Sequence, residues 1–151
     1  MNTNNPVTAI VDWFKKAKPE PTIKNIFTQL GCHFEEIAEM LNTIPECEIM
    51  ADEMNTAAIN LKTADIDVYG EQMENTISAI DKVEMLDSLC DQIVTAIGTG
   101  YDLGFDMEGA LWEVIRSNYS KFDDDGNPIF DENMKISKSN NYFKPNLEKY
   151  I

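Results

Sequence analysis

Two groups of carboxylates stand out by residue type and spacing: Glu35, Glu36 and Glu39 in GCHFEEIAEML, and Asp87 and Asp91 in EMLDSLCDQIV. Intervals of three and four residues put Glu36 with Glu39, Glu35 with Glu39, and Asp87 with Asp91 on shared helix faces, about one turn apart. Each group is bedded in an apolar stripe. Packing one stripe on the other would gather five carboxylates in a partly buried space, where mutual repulsion and desolvation both penalise ionisation. A hard divalent cation relieves both penalties. Oxygen-only ligands, with no histidine or cysteine pair at metal spacing, favour Mg²⁺ or Mn²⁺ over zinc.

The elements that must carry these groups read as helices. Pro6 opens a short amphipathic helix through Val7, Ile10, Val11 and Phe14 that ends before KPEPT. Thr22 caps a second, to about Asn42, with Ile26, Leu30, Phe34, Ile37 and Leu41 at helical intervals. A third runs from about Met50 to Tyr69 and stops at Gly70, and a fourth, the longest, from about Glu71 to Tyr101. Gly98 and Gly100 in the fourth predict either an ending or close helix packing. Asp106 caps a fifth helix, Met107 to about Tyr119, with Leu111, Trp112 and Ile115 inward. After it come an acidic turn, KFDDDGNPIFDEN, and a short strand or loop leading to a terminal helical turn. The pattern predicts an all-α fold, a four- to five-helix bundle, with ligand sites built from side chains on facing helices.

Length and charge narrow the function. A chain of 151 residues predicts a single domain, with a helical core over about 22–119 and a C-terminal tail over 120–151. A formal net charge of -15 argues against nucleic acid as a partner, since phosphate backbones are bound through basic patches. A nucleotide can still arrive as its Mg²⁺ complex and be held by a local group of Lys, Arg or Asn. Three cysteines, Cys32, Cys47 and Cys90, without a secretory leader predict free thiols in a reducing cytoplasm, and the lack of a long apolar run predicts no membrane span.

Taken in order, QLGCHFEEIAEML, LDSLCDQIVTAIGTGYDLG and EVIRSNYSK, followed by an aspartate-rich turn and NYFKPNLEKYI, resemble the all-α nucleoside triphosphate pyrophosphohydrolase superfamily. The likeness is to single-domain MazG-like or phosphoribosyl-ATP-pyrophosphohydrolase-like proteins, many of them encoded by bacteriophages, and it spans about Thr22 to the C-terminus. The resemblance implies Mg²⁺-dependent hydrolysis between the α and β phosphates of a nucleoside triphosphate, usually deoxy, to a monophosphate and pyrophosphate. It implies a homodimer or dimer of dimers, in the host cytoplasm if phage-encoded. The family completes its metal site with an ExxD pair. Here Asp91 matches the aspartate, but Ser88 stands three residues before it and Asp87 one step earlier.

On this reading Glu36, Glu39, Asp87 and Asp91 are metal ligands, and Glu35 is a ligand or a water-positioning base. Asn118 and Lys121 resemble the family's phosphate-contacting pair, with Lys121 as a catalytic point charge, and Lys138 and Tyr142 close over the triphosphate. His33 orients a ligand, touches the nucleotide, or is a plain polar helix position. An alarmone such as ppGpp or phosphoribosyl-ATP is the rival substrate; a nucleotide sensor that binds a host protein without turnover is the rival class. The Asp123, Asp125, Gly126 and Glu132 spacing suits an EF-hand loop, but Lys121 at its first position opposes calcium. Trp13, Trp112 and Tyr101 fit core packing better than base stacking.

Overall fold

The computed structural model describes residues 4–151, and the regular structure among them is helical. In chain order the helices are α1 (Pro6–Ala17), α2 (Ile23–Leu41), α3 (Glu48–Thr63), α4 (Ile66–Ser78), α5 (Lys82–Asp102) and α6 (Met107–Tyr119), with a final 3-10 turn at Glu148–Tyr150. Among the described residues six α-helices stand where four or five were expected, because two aspartate caps break the longer periodic runs. Ala64 leaves the helical region (φ -55°, ψ 120°), and the Asp65 carboxylate accepts the Asp67 N–H at 2.8 Å, restarting the chain as α4. Gly70 therefore lies inside α4. Asp81 accepts the N–H groups of Val83 at 3.0 Å and Glu84 at 3.2 Å, so α5 begins there and the Glu71–Tyr101 run is two helices. At 21 residues α5 remains the longest.

By its contacts the chain divides into two units. One comprises Glu20–Ala79 and Phe130–Lys135; the other comprises the chain through Pro19, Ile80–Ile129 and Ile136–Ile151.

In the first of these, α2 and α3 form an antiparallel hairpin on which α4 also packs. The direction follows from Lys24, near the start of α2, whose ammonium donates to the Lys62 and Ala64 carbonyls at the end of α3 (2.7 and 2.8 Å). That ammonium serves as a cationic cap where the α3 dipole is negative. The buried stripe of α2 is small and polar: Asn25, Thr28, Gly31 and Ala38. Gly31 lets the backbones approach, since a Cβ there would lie 2.7 Å from the Ala58 carbonyl oxygen. The larger apolar stripe, Ile26, Leu30, Phe34, Ile37 and Leu41, is only half-buried. Thr22 caps α2 reciprocally with Asn25, as its position after Pro21 predicts.

In the second unit α6 is central: α1, α5 and the terminal 3-10 turn all pack on it. Its core is Trp13, Ala17 and Phe122, flanked by Phe14, Tyr119 and Ile136. The Trp13 and Phe122 rings stack at 5.8 Å, and the Trp13 indole N–H donates to the Asn118 carbonyl at 2.9 Å, which satisfies its one polar atom. Burying a side chain of this size stabilises by about 1.5–3 kcal/mol. Ile115 is buried as expected, while Leu111 and Trp112 are half-buried. The α5 helix meets α6 where Gly100 faces Met107, so the packing expectation holds at Gly100; the space around Gly98 is open.

Candidate functional site

Glu35 lies on the α2 face turned toward α3 and the 130–135 turn. Its two carboxylate oxygens are engaged separately, one by Lys62 at 2.8 Å and the other by Lys135 at 2.7 Å. Burial works against ionisation of Glu35, but the hydrogen bonds and charges of Lys135 and Lys62 outweigh it and hold the carboxyl below its ordinary range. Burial likewise opposes the charge on Lys135, and Glu35, seconded by the fields of Cys32 and Glu36, raises it. Thr28 donates to the Asn133 carbonyl at 2.7 Å and fixes the same turn. Glu35 thus ties α2, α3 and the turn together.

Glu36 and Glu39 are exposed on α2, one turn apart. Gln29 and His33 precede Glu36 at intervals of seven and three, which puts them on the adjoining face; His33 is half-buried with its ring 6.5 Å from that of Phe34. In the other unit, Asp87 and Asp91 are exposed on α5 and Ser88 is half-buried. Among the described residues, no three His, Cys, Asp or Glu side chains are gathered as a metal-holding group. The chemistry of the donor set nevertheless suits Mg²⁺, which keeps several waters and takes one or two carboxylates together with substrate phosphates. Glu36 with Glu39, and Asp87 with Asp91, each present that number.

Asn118 and Lys121 stand at the C-terminal end of α6, beside the tail segment that carries Tyr142. The Ser117 hydroxyl donates to the Phe143 carbonyl (2.8 Å), the Ser139 hydroxyl to the Ser120 carbonyl (2.9 Å), and the Phe143 N–H to the Ser120 hydroxyl (3.1 Å). These bonds lay residues 139–143 along the turn that carries Asn118 and Lys121. The Lys138 ammonium sits 4.6 Å from the centre of the Tyr142 ring, and Arg116 lies over Phe143. Nine of the twelve Lys and Arg residues belong to this unit, beside thirteen of the 27 Asp and Glu, so its net charge of -4 is less negative than the -11 of the other. A helix C-terminus carries partial negative charge, so the end of α6 itself offers an anion no attraction.

Glu113 is the residue that sequence reasoning missed. Buried on α6, it accepts the Asn146 N–H at 3.1 Å, pairs with Arg116, and lies 3.7 Å from the Lys149 ammonium. The Asn146 hydrogen bond is the largest influence holding its carboxyl below the ordinary range, ahead of the nearby cations. Its only sequence signal is Arg116 three residues on. Together with the Asp106 N–H to Tyr150 carbonyl bond of 2.8 Å, it anchors the tail against α6.

Of the three aromatic residues expected in the core, Tyr101 is instead 79% exposed on α5 and Trp112 is half-buried. Trp13 is a core residue, and the cavity of about 50 Å³ beside it, lined by Ile10, Phe14, Ile115 and Asn118, is far too small for a base. The acidic turn spends its carboxylates locally: Asp123 accepts the Asn127 N–H (2.7 Å) and Asp124 the Asn141 amide (2.7 Å), with Gly126 in the left-handed region.

No family model, curated protein or solved structure matches this chain. Among the described residues no helix is long and apolar enough to cross a membrane.

Proposed function

We propose that this chain is a Mg²⁺-dependent nucleoside triphosphate pyrophosphohydrolase that cleaves a (d)NTP between the α and β phosphates, in a fold of the MazG-like type, and works as a homodimer or dimer of dimers. The observation that carries this reading is the contrast between two kinds of carboxylate. Glu35 and Glu113, the more buried ones, take direct ion pairs with Lys62, Lys135, Arg116 and Lys149, whereas Glu36 with Glu39 and Asp87 with Asp91 are exposed at one-turn spacing, Glu36 within the field of Lys135. Anhydride hydrolysis needs positive charge on the phosphate oxygens and an oriented water. Bound Mg²⁺ or Mn²⁺ supplies the charge and makes a water more acidic. In this proposal Glu36, Glu39, Asp87 and Asp91 hold the cations, and Glu35 acts as a positioning residue for α2. Asn118 donates its amide to the polyphosphate, Lys121 and Lys138 add point charges, and Tyr142 orients Lys138 through its ring face.

Ser88, standing where a ligand carboxylate is expected, favours one rival, a nucleotide sensor without turnover. Pyrophosphate release from eight NTPs and dNTPs, with Mg²⁺, Mn²⁺ or EDTA, separates the two. Metal-dependent release that Glu36→Gln abolishes is the expected result. Nucleotide binding without release from any substrate, ppGpp included, overturns the enzyme reading in favour of the sensor.

A further inference from the structure

The free end of the α2–α3 hairpin, where the connection 42–47 joins the two helices, is apolar and uncovered: Ile49 is 77% exposed, Met40 52%, Met50 48% and Ile44 43%. The connection itself is closed by backbone bonds. The Ile44 N–H donates to the Leu41 carbonyl at 3.0 Å and the Cys47 N–H to the Ile44 carbonyl at 3.3 Å, while Glu46 takes the left-handed region at φ 69°. On α3, Asp52 and Glu53 follow Ile49 at intervals of three and four, so they share its outward side. Exposed apolar side chains gathered at one end of a hairpin, two of them unbranched methionines that adapt to a partner's shape, mark an interaction site.

Charge identifies the partner. From Asn25 to Leu61 the chain has seven Asp and Glu and no Lys or Arg. The three lysines of this unit are committed elsewhere, Lys24 to the carbonyls that end α3, and Lys62 and Lys135 to Glu35. The α2 helix has no basic residue in its last turn, so the partial negative charge of its C-terminus adds to that of Glu46, Asp52 and Glu53. An apolar surface rimmed by negative charge alone fits a segment whose apolar stripe is flanked by Lys and Arg, whereas a second copy of this end would set carboxylate against carboxylate. That segment is a helix, since strand addition needs an open sheet edge and the hairpin offers none. We propose that the free end of the hairpin is the docking site for a basic amphipathic helix of another protein, which lays its apolar stripe on Met40, Ile44, Ile49 and Met50 and its cations on Glu46, Asp52 and Glu53. The site stands whether or not the chain hydrolyses nucleotides.

The probe is a dye-labelled peptide with leucines at helical intervals of three and four and lysines elsewhere, followed by fluorescence anisotropy beside a peptide of the same composition with its leucines dispersed. The expected result is binding of the first peptide at low salt, weakened about tenfold when ionic strength is raised to about 0.5 M. Ile49→Ser, and the double reversal Asp52→Lys with Glu53→Lys, should each weaken it about tenfold with helical circular dichroism unchanged, because all three side chains are exposed. Glu46→Gly should weaken it about threefold while leaving the Tm no lower than wild type, since glycine takes a positive φ without strain. A purely structural role for the connection would move affinity and Tm together. No binding, equal binding of the dispersed peptide, or an affinity indifferent to both Ile49→Ser and the double reversal each overturns the proposal. So does loss of binding on Ile93→Asp alone, which would place the peptide on the exposed side of α5, or a wild-type mass of two chains that Ile49→Ser reduces to one, which would make the occupant a second copy.

Discussion

The same substitution, Gly→Ala, has opposite expected effects at two helical positions, and the geometry says why. In a solvated helix interior alanine is favoured over glycine by about 1 kcal/mol. At Gly98 a Cβ meets nothing within 4 Å, so Gly98→Ala should realise that full gain. At Gly31 the new Cβ lies 2.6 Å from Lys62 Cγ, 2.7 Å from the Ala58 carbonyl oxygen and 3.2 Å from the Lys62 nitrogen. Two of those atoms are backbone, and the Lys62 side chain is held by its 2.8 Å bond to Glu35, so α2 and α3 must move apart. Overpacking of this kind costs about 1–3 kcal/mol, which cancels the propensity gain and leaves Gly31→Ala destabilised by roughly 1 kcal/mol. The two variants should therefore differ by about 2 kcal/mol, roughly 30-fold in the folding equilibrium. Urea unfolding followed by circular dichroism and by tryptophan fluorescence measures both. Trp13 and Trp112 lie in the unit that contains Gly98, so fluorescence follows that unit while dichroism follows both. Gly100→Ala should fall between them, since the three atoms nearest its new Cβ all belong to the flexible Met107 side chain. A Gly31→Ala variant as stabilised as Gly98→Ala would refute the close α2–α3 approach.

Other consequences follow from the ion pairs, caps and carboxylate faces. Glu35 has a lowered folded pKa, so its contribution to stability is present above its ordinary value of 4.5 and disappears as pH falls through the lowered value; Lys135 is raised, so its contribution is complete below 10.5 and fades as pH rises through the raised value. The Tm difference between wild type and Glu35→Gln should therefore be flat between these limits and close toward both extremes; a gap that persists under acid would deny the Glu35 contribution. Asp81→Ala removes the acceptor of two N–H groups at the start of α5 and should cost about 1 kcal/mol by urea unfolding, whereas Asp81→Asn should cost much less. Glu113→Gln should speed hydrogen exchange at the Asn146 amide while leaving α2 and α3 protection unchanged, and equal acceleration in both units would contradict a local clasp. Mg²⁺ should raise the Tm of the wild type following RT ln(1 + [L]/Kd), less so for Glu39→Gln, and an unchanged response removes Glu39 from the ligand set.

What the sequence made legible was local. The caps at Thr22 and Asp106 and the proline start at Pro6 were readable because each acts within a few residues of the helix it begins. The breaks at Ala64–Asp65 and Ala79–Asp81 were not, since apolar periodicity runs through them and a lone aspartate mid-pattern looks like a solvated face. Burial was harder still. The α2 stripe with the larger side chains is half-buried, while Asn25, Thr28 and Gly31 carry the α3 contact, because close helix approach selects small residues over greasy ones. For the candidate site the decisive variable was which carboxylates meet cations. Glu35 and Glu36 are neighbours in sequence, and a rotation of about 100° around the helix separates them. One faces Lys62 of the paired helix and Lys135, a hundred residues away in the chain; the other faces solvent. No spacing rule foresees Lys135, and that long-range ion pair makes Glu35 part of the scaffold while its neighbour Glu36, which also lies in the field of Lys135, stays exposed with Glu39.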